Sequence, residues 1–282
     1  MQKSIVITGA STGIGYAAAK ELIARGYRVF GSVRKAADGE RVLRELGEAF
    51  TPLLFDVTDH AALPAAVAQV AAAVGEHGLA GLVNNAGIAH SGPLMHIPLR
   101  EFRQVLEVNV VGVLAVTQAF LPLLGARRDC PHPPGRVINM SSISGGVTFP
   151  LLATYAVSKH ALEALSDGMR RELAIYGIEV SAIEPGTIKT PIWDTAPMQE
   201  VDARYAHTDY AAAMAGLPAL VRRQLKTAKP VGAVTAAIVA ALESRRPKTR
   251  YPLVRLWHIR KWLSDRALDR LASKQIGLKP LR

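Results

Sequence analysis

Cysteine is almost missing: Cys130 is the single one among 282 residues. Internal disulfides are thereby excluded, and a reducing compartment such as the cytoplasm fits. No apolar run is long enough to cross a membrane unbroken. The most lipid-like stretch, Val110 to Ala126, is interrupted by Thr117, Gln118 and Pro122. Strand-like residues begin at Ser4, which leaves no room for a signal peptide. Repeats, low-complexity tracts and clear linkers are all missing, so one domain over residues 1–254 is the economical reading. His90 and His96 have no partner at metal-ligand spacing, so no metal is expected and both read as solvated or pocket-lining residues. Hydrophobic residues make up 49% of the chain, enough for a substantial core. These features describe a soluble α/β protein.

Acidic residues are missing mainly from one place. The formal charge is +11, yet residues 245–282 hold twelve Lys/Arg against Asp265 and Asp269 alone, a local excess of +10. The rest of the chain is close to neutral, which argues against a nucleic-acid groove across it.

The order of elements alternates strand and helix from the start. Ser4–Ile7 reads as a strand, followed at once by Thr8-Gly9-Ala10-Ser11-Thr12-Gly13-Ile14-Gly15 and a helix through Ala24, with Gly26 closing it. A glycine-rich turn between strand and helix lets backbone approach a pyrophosphate, and the helix N-terminus offers free N–H groups. Gly9, Ser11, Thr12, Gly13, Ile14 and Gly15 are therefore candidate cofactor residues. The second strand, Tyr27–Val33, ends in Arg34 and Lys35. A carboxylate there would select NAD; two cations suit the 2′-phosphate of NADP, so NADP(H) is favoured and NAD(H) stays open. After a third strand at 52–55, Asp56 beside Val57 either accepts from an adenine amino group or caps a turn. The fourth strand, 81–83, opens into Asn84-Asn85-Ala86-Gly87. There asparagine side chains hold neighbouring backbone beside a ligand, which makes Asn85, Ala86 and Gly87 candidates too. A helix from about 100 to 124 carries Asn109 amid valines. That amide needs a partner, either as a structural bond or as the anchor of a water beside Lys159.

The chemistry concentrates between Val137 and Lys159. A buried strand, 137–140, runs into Ser141, Ser142, Ser144 and two glycines, and a helix from about 153 to 176 follows. Tyr155 and Lys159 lie four apart, on one helical face. A tyrosine with pKa near ~10 is a poor acid or base at neutral pH, and a neighbouring ammonium favours its phenolate. One hydroxyl, one phenol and one ammonium can thus surround a carbonyl. A sixth strand, 179–184, leads to Pro185, Gly186, Thr187, Ile188 and Thr190, placed to reach a nicotinamide amide or a phosphate. Residues 191–228, with Trp193, Met198, Tyr205, Tyr210 and Met214, read as a helical lid over a hydrophobic cleft. Helix 231–242 and a last strand near 251–254 complete the body.

Taken together, these motifs resemble the short-chain dehydrogenase/reductase family across residues 4–254. Thr8-Gly9-x-x-x-Gly13-x-Gly15, Asn84-Asn85-Ala86-Gly87, Asn109, Ser142, Tyr155-x-x-x-Lys159 and Pro185-Gly186 fall in that family's order and spacing. Ser142 is preferred over Ser141 and Ser144 because it precedes Tyr155 by thirteen residues. Arg34 and the stretch from Glu184 to Trp193 look most like the hydroxysteroid/retinol dehydrogenase branch and its bacterial relatives. The resemblance implies a Rossmann-like, doubly wound parallel sheet of seven strands with helices on both faces. It also implies a catalytic tetrad of Asn109, Ser142, Tyr155 and Lys159, and pairing into a homodimer or homotetramer through the helices carrying Asn109 and Tyr155. The implied reaction interconverts a secondary alcohol and a ketone or aldehyde on a hydrophobic substrate such as a steroid, retinoid or acyl compound. A non-catalytic NADP sensor or a membrane-surface adaptor would have no need of the tetrad.

Beyond the resemblance lies the extension, 255–282. Leu256, Ile259, Leu263 and, after a gap, Ala267, Leu268 and Leu271 recur at helical spacing, with Trp262 at the border and Arg260, Lys261, Arg266 and Arg270 largely outside. Such a basic amphipathic helix either lies peripherally on an anionic membrane or packs on its own body or a partner subunit, with packing favoured.

Overall fold

The computed structural model describes residues 2–190, 203–259 and 262–278. Trp193, Met198, Arg260 and Lys261, named above for the lid and the tail, lie outside them, as does the stretch Pro191-Ile192-Trp193. Seven strands form one parallel sheet: β1 (Ser4–Ile7), β2 (Arg28–Val33), β3 (Phe50–Leu54), β4 (Gly81–Asn84), β5 (Arg136–Met140), β6 (Glu179–Glu184) and β7 (Arg250–Pro252). Their order is β3-β2-β1-β4-β5-β6-β7, with every neighbouring pair parallel. The order reverses between β1 and β4. In open α/β sheets that switch point opens a crevice beyond the carboxyl ends of the strands, where ligands bind.

Strand periodicity sorts the core into two layers. Ile5 and Ile7 of β1 face one side and pack with Ala18, Ala19 and Leu22 of α1 (Gly13–Ala24), Val42 of α2 (Ala36–Leu46), and Val234, Ile238 and Leu242 further along. Val6 points the other way. It joins Val70 and Val74 of α3 (Leu63–Val74), Val116 and Phe120 of the long helical run Leu99–Leu124, and Met169 of the helix that bears Tyr155. Buried on both faces, the strands read as unbroken apolar runs, as parallel strands do.

The helix expected over 100–124 is not uniform. It divides into α4 (Leu99–Leu106), a π-helical turn at Glu107–Val111, α5 (Gly112–Phe120) and a closing 3-10 turn at Leu121–Leu124. By length and composition Leu99–Leu124 could span a membrane. Here Val105, Val113, Val116, Phe120 and Leu124 are buried in the protein. The next helix, α6 (Ala153–Glu172), stops earlier than 176 and tightens into a 3-10 turn at Leu173–Tyr176. Beyond β6 come α7 (Ala211–Lys226), in the expected lid segment, and α8 (Gly232–Glu243).

The tail departs from one continuous amphipathic helix. It forms α9 (Arg255–Ile259) and α10 (Asp265–Ile276), with Ser264 at the N-cap of the second. Its buried positions are Trp257 and Ala272, whereas Ile259 and Leu271 of the expected stripe are exposed. Ile276 and Leu278 pack against Leu151, Tyr205 and Met214. These two residues thus close the apolar cluster beneath α7.

Candidate active site

The carboxyl ends of β1 to β6 deliver the site to the same edge of the sheet. At the first, β1 leads into the glycine turn, where Gly9 (φ +67°) and Gly13 (φ +59°) take left-handed conformations that favour glycine. A side chain at Gly15 would overlap the Gly9 carbonyl and come within 2.5 Å of Asn85 Nδ2. Thr12 precedes α1 without a side-chain cap, and its first turn holds no acid. Among the described residues the cradle is therefore free of bulk and of negative charge, and no side chain caps the N–H groups at the helix start. That fits a dinucleotide pyrophosphate.

The turn is fastened to the end of β4. The Asn85 and Ala86 N–H groups donate to Thr8 Oγ1 at 2.9 and 3.0 Å. Asn85 Nδ2 donates to the carbonyls of Thr8 and Gly9 at 3.0 and 3.1 Å. Asn84, buried one residue earlier, donates to Thr117 Oγ1 and Asn139 Oδ1, both at 2.9 Å. Asn85 thus holds backbone beside the cradle, while Asn84 ties the side chains of Thr117 and Asn139 behind it. From the opposite side Pro185 to Thr190 cross the cleft. A Cβ on Gly13 would sit 3.8 Å from Thr190 Cβ, while Ile188 is buried and Thr187 Oγ1 donates to Gln224 Oε1 at 3.1 Å. Gly186 lies in the same crossing, hard against Val254.

At the end of β2, Arg34 and Lys35 are exposed and free to meet a phosphate. A third cation escaped the sequence reading. Arg41 of α2 donates through Nη2 to the Ser11 carbonyl at 2.7 Å and through Nη1 to Glu45 at 3.1 Å. It braces the glycine turn against α2. Asp56 takes its turn-capping option: Oδ1 accepts from Thr58 N–H at 2.9 Å and from Thr58 Oγ1 at 2.8 Å. Val57 is buried against Gly112.

Ser142, Tyr155 and Lys159 converge beyond β5. Ser142 Oγ accepts from Ser144 N–H at 3.1 Å, which leaves its own proton free to donate. Burial pushes the Tyr155 phenol up, and hydrogen bonding with Ser142 works against that rise. Burial and Ser142, rather than the neighbouring ammonium expected to favour the phenolate, set the phenol here. Lys159 Nζ lies 5.5 Å from the Tyr155 ring centroid and donates to the Met140 carbonyl at 2.7 Å. Burial also lowers the ammonium's own pKa to about 8, because taking a cation out of water disfavours its charged form.

Asn109 sits in the π-helical turn. Its Oδ1 accepts from Ile88 N–H, and its Nδ2 donates to the Ile88 carbonyl and to Ser158 Oγ, all at 2.9 Å. The side chain is a structural tie with both amide donors used, while Oδ1, which accepts one of the two bonds an amide oxygen can take, keeps the water-anchor role open. It remains close to the site. A Cβ on Gly87 would lie 3.2 Å from Asn109 Oδ1 and 3.8 Å from Lys159 Nζ. The wider π turn is the kind of helix defect that recurs where a residue is re-aimed at a functional site.

The model of the short chain dehydrogenase family matches residues 3–201. The chain belongs to that family. Among relatives of this short-chain dehydrogenase, an NADPH-dependent 3-dehydrocapnine reductase from Ornithobacterium rhinotracheale is 42% identical over 275 residues, spanning 96% of each chain. Retinol dehydrogenase 7 from Rattus norvegicus is 34% identical over 265 residues, covering 88% of this chain and 80% of its own. A solved short-chain dehydrogenase from Streptomyces avermitilis superposes with a TM-score of 0.75 at 26% identity, over 98% of this chain and 97% of the other.

Proposed function

We propose that this short-chain dehydrogenase is an NADP(H)-dependent reductase of a hydrophobic ketone or aldehyde, with Tyr155 as the proton donor. The observation that carries the reading is the convergence of Ser142, Tyr155 and Lys159 beside the glycine cradle, all at one sheet edge. Gly9 to Gly15 would hold the pyrophosphate, and Asn85 to Gly87 with Pro185 to Thr190 would flank the nicotinamide end. Arg34, Lys35 and Ser11 suit the 2′-phosphate, and Val57 suits the adenine together with the Asp56 carboxylate oxygen that does not cap the Thr58 turn. When bound, NADPH supplies the hydride that reduces the carbonyl carbon.

The chain's own part is positioning and proton transfer. Ser142 Oγ donates to the substrate carbonyl oxygen and fixes its direction, as an oxyanion donor does. Tyr155 gives its phenolic proton to the same oxygen as negative charge develops there, so that C=O becomes CH–OH. Lys159 stabilises the phenolate left behind. Asn109 acts one layer back, tying the Ile88 backbone to Ser158 of α6.

Identity of 42% over nearly the whole of both chains makes 3-dehydrocapnine the first ketone to try; the retinol dehydrogenase likeness adds retinoids. The apolar cluster of Leu151, Tyr205, Ala213 and Met214 under α7 suits a hydrophobic substrate. The exposed Val111, Leu114 and Val157, on the helical run bearing Asn109 and on α6, suit pairing of subunits. The tail serves the body rather than a membrane, since Ile276 and Leu278 are already packed. Residues 1–254 would then form one catalytic domain in the cytoplasm. The test is a panel of ketones, aldehydes and secondary alcohols, with 3-dehydrocapnine and retinoids included, assayed with NADPH and NADH. NADPH consumption with a hydrophobic ketone supports the reading; turnover only with NADH, or only of small polar substrates, refutes it.

A further inference from the structure

Behind Lys159 lies a buried group of charges that the reaction as described does not use. Glu163 is one helical turn further along α6, on the face that carries Lys159. Both are deeply buried, at 7% and 4% exposure. Glu163 Oε2 accepts from Arg250 Nε at 2.9 Å. Arg250 Nη2 donates to Asp167 Oδ1 at 3.0 Å, and its Nε stands 3.4 Å from Oε1 of the fully buried Glu184. Glu163 Oε1 has no hydrogen-bond partner among the described residues. Asp167 is served separately, by Arg170 at 3.0 Å and Arg171 at 3.6 Å.

A buried carboxylate needs a reason, because desolvation commonly cancels what an ion pair gains in stability. Stability alone is a weak reason here, with Glu163, Asp167 and Glu184 all crowding one guanidinium. Lys159 offers a better one. Around its ammonium, β5 contributes only the Met140 carbonyl, and the following turn contributes serine hydroxyls. Gly87 and Asn109 bring no charge. On α6 itself stand Tyr155 and Glu163, while His160 is exposed and turned to the Ala156 carbonyl. The other charges nearby are Glu184 from β6 and Arg250 from β7, which face each other and Glu163.

We propose that Glu163 is a positioning residue for the reduction: held in place by Arg250, its carboxylate keeps Lys159 an ammonium at neutral pH. The proposal rests on the catalytic reading of Tyr155 and Lys159 above. Burial pulls the Lys159 ammonium down to about 8, and Glu163 is the attraction that opposes the fall. Without it, Lys159 would lose its proton within the working range, and the phenolate left by Tyr155 would lose its cation.

The test is the pH profile of ketone reduction at saturating NADPH, with wild type beside Glu163→Gln and Glu163→Asp. For Glu163→Gln the alkaline limb should move acid-ward by roughly one pH unit, the size expected of one nearby opposite charge. Its activity deficit should be roughly five-fold greater at pH 8 than at pH 6. Glu163→Asp, which keeps the charge, should restore most of the limb. A uniform loss at every pH, with the limb unmoved, would assign Glu163 a structural role only and overturn the proposal. A second readout needs no turnover. In cofactor-free protein carrying 13C-lysine, the Lys159 Cε resonance, identified by its loss in Lys159→Met, should titrate at lower pH in Glu163→Gln. An unchanged midpoint would overturn the proposal, whereas a shifted midpoint in a protein that reduces no ketone would leave it standing and refute the catalytic reading. Should Glu163→Gln fail to fold, Glu163→Met, which fills similar space without the charge, should shift both readouts the same way; no shift there would likewise overturn it.

Discussion

Lys159→Met should remove a pH dependence of stability that the wild type carries at alkaline pH. The folded protein holds Lys159 at about 8, against 10.5 for the unfolded chain. Below pH 8 the ammonium is charged in both states, and folding bears the cost of burying it. Between pH 8 and 10.5 the unfolded chain binds more protons than the folded one, so this residue's contribution makes stability rise with pH. At about 1.4 kcal/mol per pH unit the full gain is about 3 kcal/mol. The raised phenols of Tyr155, Tyr27 and Tyr205 act oppositely, lowering stability as pH climbs past their unfolded value near ~10. Comparing wild type with Lys159→Met cancels them to first order. Urea unfolding at half-unit steps from pH 7 to 9.5 is the assay. The stability difference, wild type minus variant, should stay flat to pH 8 and then climb by about 2 kcal/mol by pH 9.5. Parallel curves would mean that Lys159 is not depressed by burial, and the reasoning would fail.

Arg34→Asp should turn the adenosine end against a 2′-phosphate: the ratio of NADPH to NADH affinity should fall by roughly 10²-fold, as expected for a lost charge-assisted hydrogen bond plus a new repulsion. Titration of 2′,5′-ADP against 5′-AMP would read this without turnover, and an unchanged ratio would refute the role. Gly15→Ala should cost about 1–3 kcal/mol of stability through overpacking, and it should abolish cofactor binding, because the new methyl meets the Gly9 carbonyl. Near-normal unfolding and binding would show that the turn is looser than described.

Much of this arrangement was legible in the sequence because it is local. The runs at β1 and β6 gave the strands at Ser4–Ile7 and Glu179–Glu184, and the glycine turn between β1 and α1 announced its own cradle. Tyr155 and Lys159 needed only the period of a helix. What stayed hidden depends on partners distant in the chain. Arg41 braces a carbonyl thirty residues away, and no pattern in α2 marks it. The π-helical turn was read as plain helix because one widened turn barely disturbs an apolar repeat. Lys159 spends a hydrogen bond on Met140, which no spacing rule records. The tail is the instructive failure. Its stripe showed a gap after Leu263, and the break at Ser264 falls there, but apolar spacing alone could not say that Ala272 and Trp257 would turn inward.

The central claim is that Tyr155 donates the proton, and Tyr155→Phe tests it most directly. The side chain keeps its ring and loses only the hydroxyl, so NADPH titrated into the variant should bind within a few-fold of wild type. Single-turnover reduction of a ketone that the wild type accepts should fall by at least ~10²-fold, the usual worth of a general acid. Reduction within a few-fold of wild type, with binding intact, would contradict the assignment.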